Sequence, residues 1–283
     1  MSSKKELVVI GDSFCIDYVS WRNISHANGE NPYIIVNTKN ESEFINQVHK
    51  WKYIKPFPIW GEIIAKELNL KLVNLSQSGA GSDYVFAKTL NYISKNKKKI
   101  GKVIIVWSSF QRFDFELTNS KVDMKDWEFK WLSLNPTLLL GETSHKECEL
   151  LKDNVINNLN KLDALPMDGG INKFFRYAYA LQTILESFNI DYNMIQSVRD
   201  WFLCHEDYIH SAKVFLNNQY CELINEDKFI GYPLHPLLGG FNMVEILFDG
   251  DPKNKKNHIN KYDKHPNKNG NKLIAKRILD EIL

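Results

Sequence analysis

Two residues near opposite ends of this chain could exchange a proton. Gly11-Asp12-Ser13-Phe14 follows the apolar run Leu7-Val8-Val9-Ile10, and His265 lies in Tyr262-Asp263-Lys264-His265-Pro266-Asn267, ahead of a C-terminal helical pattern. A serine hydroxyl is a weak nucleophile until a base takes its proton, and histidine titrates near neutral pH and can be that base. A serine placed just past a buried strand and before a helix also has backbone N–H groups pointing into the crevice, where a developing oxyanion would sit. A carboxylate beside the histidine would hold its ring and stabilise the imidazolium, and Asp263 is the available candidate. Each residue has a plain alternative when taken singly. Asp12 and Ser13 are favoured helix caps, and His265 alone reads as a surface residue of a basic loop.

The elements that must position these residues alternate along the chain. Glu6 to Ile10 is a short apolar run ended by Gly-Asp-Ser, the pattern of a buried parallel strand. Ile59, Ile63, Ile64 and Leu68 fall on one face of a helix over 59–68, and a second strand covers Lys71 to Asn74. A helix over Asp83 to Lys95 leads to a strand over Val103 to Trp107. A helix over Ile171 to Phe188 leads to a strand over Ile190 to Ile195, and a last helix runs from about Asn267 to Leu283. Short buried strands separated by helices predict a parallel sheet covered on both faces. Ligands of such sheets bind at the carboxyl ends of the strands. Ser13, Gly79 and the Ser108–Arg112 loop all fall there.

Taken together, four islands of sequence spread over nearly the whole chain resemble the SGNH/GDSL hydrolase superfamily, in that family's order. Val8-Val-Ile-Gly-Asp-Ser-Phe14 is similar to the first block, whose serine is the nucleophile, which implies that role for Ser13. Asn74-Leu-Ser-Gln-Ser-Gly79 resembles the second block and implies an oxyanion-binding N–H at Gly79. Asp263-Lys-His-Pro-Asn267, with Gly270 after it, resembles the last block and implies His265 as the base. Two departures stand out. After the third strand the family has Gly-x-Asn-Asp, whereas this chain has Trp107-Ser-Ser-Phe-Gln-Arg112, so a donor from Gln111 or Arg112 would replace the asparagine. Arg112 suits an oxyanion through its charge and suits a structural salt bridge equally. The family's acid precedes the histidine by three positions, where Tyr262 stands here; Asp263 is one residue nearer, and a backbone carbonyl is the other candidate for orienting the ring.

The resemblance implies a three-layer αβα sandwich with a flavodoxin-like parallel sheet and long inserted lid loops. It also implies a cofactor-free carboxylic ester hydrolase working through an acyl-enzyme. One domain is expected over 1–283, with insertions at about 20–58, 113–146 and 201–262. The aromatic content of these insertions suggests a short-chain or acetyl ester as substrate, on a small molecule or a glycan. Acyl transfer would use the same site, and the missing asparagine and shifted aspartate leave room for an inactive carbohydrate-binding module.

Composition narrows the partners. Hydrophobic residues make up 43% and charged residues 25%, and the net charge of +2 is too small to argue for nucleic acid or an anionic membrane surface. No run approaches the roughly 18 apolar residues of a membrane span, and Leu7–Ile10 is too short for a signal peptide. With the scattered cysteines Cys15, Cys148, Cys204 and Cys221, a cytoplasmic protein with reduced thiols is expected. Cys204-His205 with His210 and Cys221 matches no common zinc spacing. Trp107, Trp127, Trp131 and Trp201 suit either a pocket wall or core packing. Oligomeric state has no signature in the sequence.

Overall fold

The computed structural model describes residues 4–17, 56–116, 131–134, 167–198, 205–259 and 264–283. Five parallel strands form one sheet: β1 (Glu6–Ile10), β2 (Lys71–Asn74), β3 (Ile100–Trp107), β6 (Tyr192–Gln196) and β7 (Phe229–Ile230), in the order β2-β1-β3-β6-β7. β4 (Phe113–Glu116) and β5 (Trp131–Leu134) form a separate antiparallel pair. Counting only the strands of the main sheet, this is the doubly wound 2-1-3-4-5 order of flavodoxin-like folds.

Six helices accompany the strands among the described residues: α1 (Trp60–Glu67), α2 (Ser82–Asn96), α3 (Met167–Ser187), α4 (His205–Leu216), α5 (Met243–Phe248) and α6 (Lys268–Ile282). The path from β1 to β2 runs one way across the sheet, and the path from β2 to β3 runs back past β1. Right-handed crossovers therefore put α1 and α2 on opposite faces.

The strand sequences explain the two cores. Successive side chains of a strand point to opposite faces, and β1 and β3 are apolar on both. Val8, Ile10, Val103, Ile105 and Trp107 pack with Tyr84, Val85, Phe174, Phe175 and Phe215, under α2, α3 and α4. Leu7, Val9, Ile104 and Val106 pack with Trp60, Ile64, Val244, Ile274 and Ile278, under α1, α5 and α6. Each such side chain contributes about 1.5–3 kcal/mol by leaving water.

Two of the expected insertions contain regular structure. The 201–262 stretch, whose Gly and Pro punctuation predicts an inserted lid, supplies α4, β7 and α5 to the sandwich. Its two-residue strand is too short to leave a periodic signal, and a six-residue helix shows less than two turns of pattern. Within the 113–146 stretch, β4 and β5 pair through Asp114↔Ser133 and Phe115↔Leu132. Most of the first expected insertion lies outside the described residues.

Candidate active site

The strand order reverses between β1 and β3, so the loops leaving their carboxyl ends diverge and open a crevice there. Gly11 takes the chain out of β1. A Cβ at this position would lie 2.7 Å from Val106 Cβ and 2.6 Å from Cys15 Sγ, so only glycine lets the turn press against β3. Asp12 is extended and caps the 3-10 turn Ser13–Cys15, its Oδ1 accepting the Phe14 N–H at 3.0 Å. The cap is therefore Asp12, which leaves the Ser13 hydroxyl for another partner.

That partner is His265. Its Nε2 lies 2.7 Å from Ser13 Oγ, and its ring packs at 5.2 Å, tilted by 40°, on Phe14. Ser13 is buried and His265 half-buried. For the hydroxyl to donate, the imidazole carries its proton on Nδ1 and presents a lone pair at Nε2. A second pair gives a useful contrast. Ser211 Oγ and His235 Nε2 are 3.0 Å apart, but His235 Nδ1 accepts the Leu237 N–H, so Nε2 carries the proton and donates to the serine. That arrangement holds structure and cannot take a proton from Ser211.

The two halves of the Ser13–His265 pair are tied together through α1. The Trp60 indole N–H donates to Phe14 O at 2.8 Å, inside the Ser13 turn, and the Trp60 backbone N–H donates to Asn271 Oδ1 at 2.9 Å on α6. Asn271 Nδ2 then donates to Pro266 O, one residue past the histidine. Asn267 caps α6, its Oδ1 accepting from Asn269 N and Gly270 N.

Asp12 reaches further than its cap. The carboxylate is fully buried, and its Oδ2 accepts from Ser108 Oγ at 2.8 Å, Ser197 Oγ at 2.7 Å and Arg112 Nη1 at 3.3 Å. Arg112 Nη1 also donates to Ser108 Oγ at 2.6 Å and to Ala80 O at 3.0 Å. One carboxylate and one guanidinium thus join the loops that follow β1, β2, β3 and β6. Gly79 stands in the β2 loop at φ +77°, a left-handed conformation that favours glycine. That loop is fixed to the Ser13 turn by Gln77 N donating to Gly11 O at 3.0 Å. The Gln111 amide oxygen is buried and has no hydrogen-bond partner among the described residues.

Around this frame, burial shifts two titratable groups upward. Gly81, at the start of α2, has no side chain to cap it. The Asp114 carboxylate does so instead, accepting from Gly81 N and Tyr84 N at 2.9 Å each and from Ser133 Oγ. Burial pushes the Asp114 carboxyl up in spite of these bonds. Cys15 is fully buried, and burial first and the Asp12 charge second push its thiol well up, so it stays protonated and does not compete with Ser13.

Of the residues singled out in the sequence, Ser13 and His265 meet directly. Gly79 and Gln111 lie on loops at the same strand ends, and Arg112 is engaged with Asp12. Asp263 lies outside the described residues, as do Cys148, Cys204, Trp127 and Trp201. Ser197, Trp60 and Asn271 are joined to the site with no signal in a linear reading, because each reaches it from a distant part of the chain, whereas Ser108 opens a loop already placed at the strand ends. No group of side chains suited to a metal occurs among the described residues, and none of their helices is long and apolar enough to cross a membrane.

No family model and no curated protein matches the chain. Solved structures do. An esterase, EstA, from Pseudoalteromonas sp. is 14% identical over 98% of this chain and 96% of its own, with a TM-score of 0.39. The acetyl xylan esterase AlAXEase is 11% identical over 98% and 100%, with a TM-score of 0.40. LAE5, an α/β hydrolase enzyme from the metagenome of Lake Arreo, Spain, is 12% identical over 99% and 96%, with a TM-score of 0.39. At such scores the fold assignment rests on the strand order and layers of the chain itself.

Proposed function

We propose that the chain is a serine-dependent carboxylic ester hydrolase of the SGNH/GDSL type. The observation that carries this reading is the 2.7 Å contact between Ser13 Oγ and His265 Nε2 at the strand-order reversal. The four sequence islands support it, and so does the buried hub that holds their loops together.

In this mechanism Ser13 Oγ attacks the ester carbonyl carbon as His265 Nε2 takes the hydroxyl proton. The carbonyl oxygen becomes an oxyanion, received by the N–H groups of Ser13 and Gly79. The Gln111 amide is the third donor, turned so that its nitrogen faces the oxyanion. Arg112 serves this hole by bracing the loops around Asp12. Collapse breaks the bond to the alcohol oxygen, which leaves with the proton from His265, and the acyl group stays on Ser13. A water then attacks that acyl group, His265 takes the water's proton, and the acid departs as the proton returns to Ser13 Oγ. Asp263 is proposed to orient the His265 ring.

A small cleft beside Ser13, walled by Ile16, Phe57, Ile59, Ile259 and Pro266, supports a short acyl group, with an acetyl ester on a small molecule or glycan as the proposed substrate. An alcohol in place of water would make the same intermediate an acyl donor. The test is labelling with a serine-reactive fluorophosphonate, together with hydrolysis of aryl esters of increasing chain length. Labelling that disappears in Ser13→Ala, and turnover that falls by several orders of magnitude in Ser13→Ala and His265→Ala, are expected. A wild-type protein that neither labels nor turns over would make this a binding module. A preference for long chains would reject the acetyl substrate.

A further inference from the structure

His258 carries no role in the chemistry above, yet it is buried (4% exposed) seven residues before the base. Its Nδ1 lies 2.8 Å from Lys264 O. A carbonyl oxygen only accepts, so Nδ1 carries a proton and donates it. The acceptor belongs to the peptide unit that leads directly into His265. The next carbonyl, that of His265 itself, accepts from Ile259 N at 2.9 Å, and His258 and Pro266 form an antiparallel bridge. His258 O in turn accepts from Asn267 Nδ2 at 2.8 Å. The ring of His258 is set edge-on to Phe248 of α5, with centroids 5.8 Å apart, so the donor is anchored to the sandwich.

The peptide planes on both sides of the His265 Cα are therefore pinned, one by a side chain and one by the backbone. Together they fix the direction in which the Cα–Cβ bond leaves the chain. That direction decides whether Nε2 arrives at Ser13 Oγ. We infer that His258 is a positioning residue for His265, acting through its Nδ1–H···O=C bond to Lys264. The inference rests on the proposed role of His265 as base. It adds a device that the sequence motif around the base does not contain.

Two substitutions separate the bond from the burial. In His258→Asn the amide nitrogen occupies nearly the place of Nδ1 and keeps the donor, whereas in His258→Gln it extends toward the place of Nε2 and loses it. A displacement of about 1 Å in a reacting group can cost about 10²-fold. His258→Gln is accordingly expected to lose about 10- to 100-fold in kcat with KM little changed. His258→Asn is expected to stay within about 3-fold of wild type. Melting temperatures of both variants report on folding. The ring 15N shifts of His265 give a readout independent of turnover, and in His258→Gln they are expected to move toward those of an unconstrained imidazole. Equal kcat in the two variants, or unchanged His265 shifts in His258→Gln, would overturn the inference. A wild-type protein without esterase activity would reject the hydrolase reading, while the ring shifts would still decide whether His258 holds His265.

Discussion

A buried carboxylate that satisfies four donors is costly to disturb from either side. Asp12 accepts from Phe14 N, Ser108, Ser197 and Arg112 with no exposed surface. Removing the guanidinium strands that charge, and breaking a buried pair by deleting one partner costs about 3–5 kcal/mol at full burial. Arg112 keeps 14% of its side chain exposed, so Arg112→Gln is expected to lower stability by about 2 kcal/mol in urea unfolding. Because its Nη1 also holds Ala80 O, the same variant is expected to lose turnover. A donor acting on the oxyanion alone would cost turnover at unchanged stability, so the two measurements together assign the role of Arg112. Gly11→Ala tests the neighbouring turn. Its new methyl would meet Val106 and Cys15 inside 3 Å, and overpacking of this kind costs about 1–3 kcal/mol.

At the scale of elements, β3 and β6 meet at an ion cluster. Asp191, just before β6, pairs with Lys102 of β3 at 2.6 Å and with Lys228 at 2.9 Å. Partial burial pushes its carboxyl up, but the hydrogen bonds and charges of the two lysines outweigh this and lower it. A folded-state value below the unfolded one adds stability above the unfolded value, near 4, that is lost as pH falls through the folded value. Asp191→Asn is expected to destabilise by roughly 1 kcal/mol near neutral pH, the modest figure reflecting solvent screening of a half-exposed group. The difference should fade below about pH 4 in pH-dependent unfolding; a constant difference across pH would assign it to packing. This cluster also shows why the strand is longer than its sequence suggests. Gly101-Lys102 interrupts the apolar run at Val103, so periodicity starts β3 there, whereas the Lys102–Asp191 pair lets a buried lysine extend it back to Ile100. The other long elements read cleanly. Lys71–Asn74 falls where expected, and α2, α3 and α6 begin and end within a few residues of their patterns. Ser13 and His265 were legible as a candidate pair for a related reason, since each sits in a local motif. The Asp12 hub was not, because residues 12, 108, 112 and 197 converge only after the sheet is wound.

At the scale of the molecule, Trp60 joins the early and late parts of the chain. It gives its indole N–H to Phe14 O and its backbone N–H to Asn271. Trp60→Phe keeps most of the apolar ring but leaves the Phe14 carbonyl without its donor. A loss of about 1–3 kcal/mol is expected by chemical denaturation, with a fall in kcat larger than any change in KM. An unchanged kcat would show that the Ser13 turn is held without this link.

The sheet itself has a consequence for how the proposed catalyst can be altered. His265, Trp60 and α6 belong to the layer beneath one face, whereas Gly79 and Arg112 flank the start of α2, which covers the other. Under the proposed mechanism, proton traffic is managed from below the sheet and negative charge is received from above, with Ser13 on the dividing line. Repacking either side should therefore retune one half of the reaction while sparing the other, giving two nearly independent dials for changing rate and substrate range.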